Sequence, residues 1–159
     1  MDSNRLTQKC QEAVQEAQAA AIRLGHVEVD GEHLLLALLS QEGGLVPRLF
    51  NKMDVPLDSF RGELERELQR RPSVSGPGIE PGKVYVTQRL SKALVAAHDE
   101  AQRLKDDYVS VEHLLLPLLD EGEKTAAGKL FKQFKVDRDR FLAALVEVRG
   151  NQRVMSDNP

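Results

Sequence analysis

Between residues 7 and 24, apolar positions recur at the three- and four-residue spacing of one face of an α-helix. Thr7 opens this stretch, and its hydroxyl can accept a hydrogen bond from a backbone N–H group of the first turn. The other positions are rich in Ala, Gln and Glu, which are good helix formers. Gly25 and His26 end the predicted helix. Its apolar face is formed by Ala13, Val14, Ala17, Ala21 and Leu24.

Three further helices are predicted in the first half of the chain. Asp30 caps the second helix, which carries Glu32 in its first turn and is almost entirely apolar from residue 34 to residue 39. A helix that is apolar on most sides is a buried helix. Gly43-Gly44 breaks it, a short helix follows over about residues 46–53, and a fourth helix begins at Pro56 and ends near residue 71.

The second half of the chain repeats the first. Shifting residues 7–40 by 80 positions onto residues 87–120 matches 15 of 34 pairs without a gap, including Glu-His-Leu-Leu-Leu in both copies. After one inserted residue, the correspondence continues further along the chain. Thr87 and Ser110 take the capping positions in the second copy. Two copies are too few for an open solenoid, so the repeat predicts a closed domain with pseudo-twofold symmetry.

The positions of the two copies predict the domain organisation. One domain covers residues 1–150, with repeat one at about 6–71 and repeat two at about 86–149. Residues 72–85 contain three of the seven prolines and three of the eleven glycines, which is typical of a linker. Residues 151–159 are mostly polar, and we expect them to begin a linker to a module that lies outside this chain.

Composition narrows the class of protein. The chain has 159 residues, of which 41% are hydrophobic and 30% charged, as in a globular domain with its own core. The net charge of −3 and the aromatic fraction of 4% argue against nucleic-acid binding, and no apolar run approaches a membrane span. Cys10 is the one cysteine, so the chain forms no internal disulfide. With no signal-peptide pattern, these features predict a cytoplasmic protein.

The sequence contains no evident catalytic or metal-binding arrangement. His33 and His113 each follow a Glu, but neighbouring helix positions point to different faces and do not share a ligand. Cys10 aligns with a leucine of the second copy, so we interpret it as a core residue. Gly82-Lys83 is not followed by Ser or Thr, so we expect no phosphate-binding loop and no cofactor in this chain. Acidic residues are in excess over residues 106–123 and are candidates for the rim of a peptide-binding groove.

Both copies carry a longer pattern, which begins at the capping threonine and ends in Glu-His-Leu-Leu-Leu-x-Leu-Leu. This pattern resembles the N-terminal repeat domain of the Clp family of AAA+ protein unfoldases. The linker Gly-Pro-Gly-Ile-Glu-Pro-Gly and the tail over residues 148–154 are most similar to the disaggregase branch of that family. The resemblance covers essentially the whole chain. It implies an all-α fold, an eight-helix bundle made of two four-helix repeats.

The resemblance also implies a function. In the disaggregase branch, two AAA+ modules that bind ATP and Mg follow this domain, form a homohexamer, and thread aggregated polypeptide with the help of a DnaK-type chaperone system. The isolated domain is expected to be a monomer and no enzyme. It would bind exposed hydrophobic segments of unfolded or aggregated proteins in a groove between the repeats. The residues implied in binding are Thr7, Thr87, Asp106 and Glu112, with Ala13, Val14, Leu90, Leu94 and His113 nearby.

A role in the fold stays open for several of these residues. Thr7 and Thr87 are predicted N-caps, which stabilise a helix whether or not a substrate binds. Glu112 has an equivalent glutamate in the first copy, which favours a role inherited by both copies. Asp106 aligns with His26 and is the best candidate for a role beyond the shared fold.

Three other functions remain open. The first is an adaptor-docking domain of a protease-associated Clp unfoldase, a branch that shares the same helical core. The second is a small enzyme that uses Cys10 or a histidine. The third is a passive spacer.

Overall fold

The computed structural model describes residues 3–74, 83–150 and 152–158, so the Gly- and Pro-rich part of the predicted linker lies outside the described residues. Within them, eight α-helices form the domain, four from each copy, and the predicted all-α bundle is confirmed. The first copy provides α1 (Gln8–Arg23), α2 (Gly31–Leu39), α3 (Leu45–Lys52) and α4 (Leu57–Gln69). The second provides α5 (Gln88–Arg103), α6 (Val111–Leu119), α7 (Ala126–Gln133) and α8 (Arg138–Arg149).

The two predicted threonine caps are present. The Thr7 hydroxyl accepts a hydrogen bond from the backbone N–H of Cys10 at 3.2 Å, at the start of α1. The Thr87 hydroxyl accepts one from the N–H of Leu90 at 3.0 Å, at the start of α5. Each bond satisfies a donor that the helix itself leaves without a partner.

The two central helices begin with a histidine-based cap. The backbone N–H of Asp30 donates to His33 Nδ1 at 2.9 Å, and that of Ser110 donates to His113 Nδ1 at 2.8 Å. In this arrangement the histidine takes the place of the Glu or Gln that usually completes a capping box. The Glu-His-Leu-Leu-Leu motif therefore begins in the first turn of α2 and of α6.

The core is continuous between the copies. Nearly every side chain of α2 and α6 is buried, as the apolar pattern predicts. Phe60 of the first copy packs against Phe131 and Phe134 of the second, with ring centroids 5.7 and 5.1 Å apart. One hydrophobic core thus holds both repeats together.

Segments that precede helices in one copy pair with segments of the other copy, a feature that the sequence did not predict. A two-residue strand, β1 (Glu28–Val29), pairs in parallel with β2 (Tyr85–Val86). Leu6 forms an isolated parallel bridge with Val109, which is the same pairing under the 80-residue shift. In each case the residue before the first helix of one copy pairs with the segment before the second helix of the other. The repeats are therefore interlocked.

The polar tail folds back onto the domain. Val154 is buried, and its carbonyl accepts a hydrogen bond from the backbone N–H of Asp107 at 2.8 Å. Further on, the N–H of Gln8 donates to the carbonyl of Asp157 at 2.8 Å. Although we expected residues 151–159 to begin a linker, residues 152–158 thus run across the starts of α1 and α6.

Candidate functional site

A buried ionic network lies beside the start of α6, centred on Asp106. Its Oδ1 atom accepts hydrogen bonds from Arg149 Nη2 at 2.5 Å and from the backbone N–H of Val154 at 2.8 Å. Its Oδ2 atom lies 2.8 Å from His113 Nε2. Burial favours a raised pKa for this carboxyl, but the donors from Arg149, Val154 and His113 outweigh it and hold the pKa of Asp106 below its ordinary value.

The hydrogen bonds define the tautomer of His113. Because its Nδ1 atom accepts from the backbone N–H of Ser110, the ring proton lies on Nε2 and is donated to Asp106. His113 therefore links the capped end of α6 to the carboxylate, which in turn holds the tail. This is a positioning role within the fold.

The first copy has a pair of histidines at the same place. His26 occupies the position of Asp106, and His26 Nδ1 lies 2.8 Å from His33 Nε2. Burial, followed by the neighbouring His26 and Arg71, lowers the pKa of His33 to about 4. Burial and Arg71 also lower the pKa of His26. Both imidazoles are therefore neutral near pH 7.

Both carboxylate oxygens of Glu32, at the start of α2, accept hydrogen bonds. Arg89 donates to both of its oxygens, at 2.7 and 2.8 Å, and Arg71 donates to Oε1 at 2.7 Å. The backbone N–H of Ala127, at the start of α7, donates to Oε2 at 2.9 Å. Burial would raise the pKa of Glu32, but the bonds from Arg89 and the other donors outweigh it and lower that pKa to about 2.

Glu112, the equivalent residue of the second copy, has far fewer partners. It is 1% exposed, and Arg149 Nη1 approaches its Oε2 atom at 3.4 Å. Among the described residues, the buried Oε1 atom of Glu112 has no hydrogen-bond partner, and the same holds for Gln41 Oε1. Unpaired buried acceptors are unfavourable, so each calls for a compensating partner such as an ordered water or a bound group.

Glu112 and Gln41 line one cavity between the two copies, with a volume of about 340 Å³. Its walls come from the start of α1, the loop between α2 and α3, the start of α6, and the end of α8 with the tail. The polar and charged residues that line it are Thr7, Lys9, Gln41, Arg48, Ser110, Glu112, Arg149, Gln152 and Arg153.

A second cavity, of about 290 Å³, adjoins the first. The two share Arg149, Gln152 and Arg153 in their walls. Most of the remaining wall is apolar, and one of its members, Val146, is 65% exposed. The apolar residues are Leu104, Leu142, Leu145 and Val146.

The structure divides the predicted polar site residues between two places. Thr7, Asp106, Glu112 and His113 come together around the start of α6. Thr87 lies at the equivalent place in the other half, where its hydroxyl donates to Asp30 Oδ1 at 2.8 Å. These side chains are bonded within the domain.

The predicted apolar site residues belong mainly to the core. Ala13 and Leu90 are buried, and Val14 and Leu94 are half-buried and pack against the core. None of the four lines the cavity between the copies. A contact between client and any of them stays a prediction.

Sequence reasoning did not single out Gln41 or Arg149 as site residues. The repeat itself carried a signal for Gln41, because the 80-residue shift places it opposite an acidic residue, Glu121. Arg149 bonds to both Asp106 and Glu112, but it lies on the last turn of α8. Its sequence position alone does not show where that turn lies.

Cys10 has the environment of a core residue. Its side chain is buried, and burial, followed by the charge of Glu112, raises the pKa of the thiol to about 12. A thiol in this state is a poor nucleophile. In the part of the chain that the structure describes, no group of three or more His, Cys, Asp and Glu side chains is placed to hold a metal ion. No helix there is long and apolar enough to cross a membrane.

Residues 5–134 match the Clp repeat (R) N-terminal domain model. The chain belongs to this family. It is 50% identical over its whole length to the chaperone protein ClpB of Nitratidesulfovibrio vulgaris, and 46% identical to that of Bacillus cereus. In each case the chain spans 18% of the relative's length. The predicted resemblance to the disaggregase branch of the Clp family is confirmed.

Solved structures of the family share the fold. The N-terminal domain of Hsp104 from Candida albicans superimposes with a TM-score of 0.80 at 24% identity, covering 96% of both chains. The N-terminal domain of ClpV1 from E. coli gives a TM-score of 0.76 at 21% identity, covering 98% of this chain and 90% of that one. The same fold therefore occurs in both of these proteins.

Proposed function

We propose that this chain is the substrate-engagement domain of a ClpB-type ATP-dependent chaperone. In this role it binds exposed hydrophobic segments of unfolded or aggregated proteins and prepares them for disaggregation. The observation that carries the proposal is the pair of adjoining cavities at the end of α8. One cavity is apolar and the other carries polar groups, which is the usual composition of a site for an amphipathic ligand.

The apolar cavity supports binding of hydrophobic side chains. Val146 is 65% exposed on its rim, and Leu104 and Leu142 continue the apolar wall inward. Burial of apolar surface stabilises a complex by about 25 cal/mol per Å². Much of this gain is offset by the freedom lost on association, so two or three client side chains provide a weak, reversible interaction. Weak binding suits a domain that must release its client.

The remaining parts of the proposed function lie in other modules. ATP and Mg binding, assembly into a homohexamer, and cooperation with a DnaK-type chaperone system are proposed for a full-length cytoplasmic protein of this type. The curated ClpB relatives support this assignment, because the chain aligns with 18% of their length. In such a protein this domain would capture the client before the AAA+ modules thread it.

A matched pair of surface valines tests client binding. Val146 and Val95 are exposed to similar extents, 65% and 58%, but Val146 lines the apolar cavity and Val95 lines neither of the two. Affinity for reduced, unfolded casein is measured by fluorescence anisotropy with the wild type, Val146→Ser and Val95→Ser. Weaker binding by Val146→Ser than by Val95→Ser supports the proposal. Equal affinity for all three proteins would contradict it.

Docking of a folded adaptor is the second candidate function, and a different surface favours it. Val27, Tyr85 and Val86 lie together at the β1–β2 pair and are 43%, 61% and 44% exposed. A cluster of exposed apolar side chains is typical of a contact surface for a partner protein. Binding of a ClpS-type or MecA-type adaptor that is lost in Tyr85→Ser and retained in Val146→Ser would support this function.

A further inference from the structure

Residues 152–158, which we call the strap, lie against the domain around one buried side chain. Val154 is 4% exposed, whereas the other residues of the strap are exposed. Its carbonyl accepts hydrogen bonds from the backbone N–H groups of Asp107 and Tyr108 at 2.8 and 3.2 Å. Its own N–H donates to Asp106 Oδ1 at 2.8 Å. Val154 is therefore the main point of attachment.

The two ends of the strap are held through backbone carbonyl groups. At one end, the Gln152 carbonyl accepts hydrogen bonds from Arg149 Nη2 and Nε at 2.9 and 3.1 Å. At the other end, the Asp157 carbonyl accepts one from the N–H of Gln8 at 2.8 Å. A segment with one buried side chain and a few backbone bonds opens at a much lower free energy than the whole domain unfolds.

The contacts of the domain allow the strap to detach while the helices stay folded. None of the helices that the structure describes includes a strap residue. Asp106 would lose its bond from the N–H of Val154. It would keep those from Arg149 Nη2 at 2.5 Å and His113 Nε2 at 2.8 Å. The strap follows α8 after Gly150, whose φ of +61° lies in the left-handed region that glycine adopts readily, so the chain can turn there.

The strap also forms part of both cavities at the end of α8. Gln152 and Arg153 line the two cavities, and Val154 lines the one between the copies. A client that occupies the cavities contacts these residues only while the strap is closed. Opening of the strap removes one wall from each cavity. The client therefore binds the closed form more tightly than the open form, and this difference shifts the equilibrium towards closure.

We propose that the strap opens and closes on the folded domain, and that bound client holds it closed. The inference rests on the proposed function and adds a means of regulation to the same site. In a full-length protein of that type the strap would lead towards the next module, and its release would lengthen the connection by at most about 24 Å. A domain that carries client would then be held on a shorter connection than an empty one.

Amide hydrogen exchange of the native chain, followed by NMR, tests whether the strap opens by itself. The N–H groups of Asp107 and Gln8 donate to carbonyls of the strap. The N–H of Thr7 donates to the Val109 carbonyl at 2.9 Å and is the neighbouring control. After correction for the intrinsic rates of the sequence, Asp107 and Gln8 should exchange faster than Thr7. Equal protection of the three amides would show that the strap opens only together with the helices, and would overturn the inference.

Two adjacent strap variants locate the effect. Val154→Ser removes the buried side chain, and Met155→Ser changes a neighbour that is 63% exposed. Val154→Ser should speed exchange at Asp107 and Gln8 about tenfold or more, because burial of an aliphatic side chain supplies at least that factor. Exchange at Thr7 should stay unchanged, which shows that the variant is folded. Met155→Ser should leave all three amides unchanged. Identical rates in the two variants would contradict the role of Val154 and overturn the inference.

Reduced, unfolded casein tests the coupling to client. Its dissociation constant is first measured by fluorescence anisotropy. At a free concentration about ten times that constant, exchange at Asp107 and Gln8 in the wild type should slow about tenfold, because client binds the closed form. Casein that binds and leaves these rates unchanged, or raises them, would overturn the coupling while the proposed function stands. Absence of casein binding would overturn the proposed function and the coupling together, whereas the opening itself is decided by the two variants.

Discussion

Asp106 occupies the position in the second copy that His26 occupies in the first, and both side chains bond to the Nε2 atom of the histidine that caps the following helix. The carboxylate also binds Arg149 and the backbone of Val154. The same position of the fold thus carries a neutral imidazole in one repeat. In the other repeat it carries a carboxylate that binds the tail and an arginine. This difference leads to separate predictions for the two halves.

Replacing Asp106 by Ala should strongly destabilise the domain. The change leaves the buried part of Arg149, the N–H of Val154 and His113 Nε2 without their common acceptor. Loss of one partner from a buried ion pair costs about 3–5 kcal/mol. Urea unfolding followed by circular dichroism measures the effect. Asp107→Ala removes an exposed neighbour and should stay within about 0.5 kcal/mol of the wild type. Similar stabilities of the two variants would refute the anchoring role.

The histidine pair predicts a loss of stability as the pH falls. The folded-state pKa of His33 is about 4, and that of His26 is also lowered, so the unfolded chain binds more protons below about pH 6.5. The contribution of His33 is complete above that pH and is lost as the pH falls towards 4, at up to about 1.4 kcal/mol per pH unit, and His26 adds a loss of the same sign. The free energy of unfolding is measured from pH 7.5 to pH 4.5. His26→Asn removes one titrating group and should reduce the slope, and an unchanged slope would contradict this account.

The two equivalent glutamates should differ in their contribution to stability. Glu32→Gln breaks the bidentate pairing with Arg89 and weakens the bond from Arg71, which we expect to cost about 3 kcal/mol or more. Glu112→Gln loses one contact of 3.4 Å, for which about 1 kcal/mol or less is expected. Thermal and urea unfolding of both variants make the comparison. Equal losses would show that the two carboxylates are equally bonded in solution.

Cys10 should be unreactive in the folded domain. Its thiol is buried, and its pKa of about 12 leaves almost no thiolate at pH 8. Labelling with a thiol reagent at pH 8 should proceed at the rate of unfolding, and at once in 6 M guanidinium chloride. Rapid labelling of the native chain would place Cys10 outside the core.

Local signals in the sequence predicted the elements of the fold well. Thr7 and Thr87 precede good helix formers, and their caps depend on neighbours three residues away. The apolar runs of α2 and α6 indicate burial directly. The pairing of Leu6 with Val109 joins residues more than 100 positions apart, and no short pattern marks such an exchange.

The candidate site was harder to predict, because burial depends on packing between the copies. Glutamate is usually exposed, and Glu112 lies in the first turn of a helix, yet it is 1% exposed. Val154 lies in a polar tail but is buried beside Asp106. Comparison of the repeats carried part of the information on partners, since Arg89, which pairs with Glu32, aligns with Lys9, whose ammonium pairs with Glu12.

The proposed function requires that client polypeptide binds in the adjoining cavities at the end of α8. The most direct test is an NMR titration of the isotope-labelled chain with reduced, unfolded casein. The account predicts shifts that cluster at Gln41, Glu112, Val146, Arg149 and Gln152, and little change at Val95 on α5. Shifts confined to the β1–β2 surface, or no shifts at high casein concentration, would contradict it.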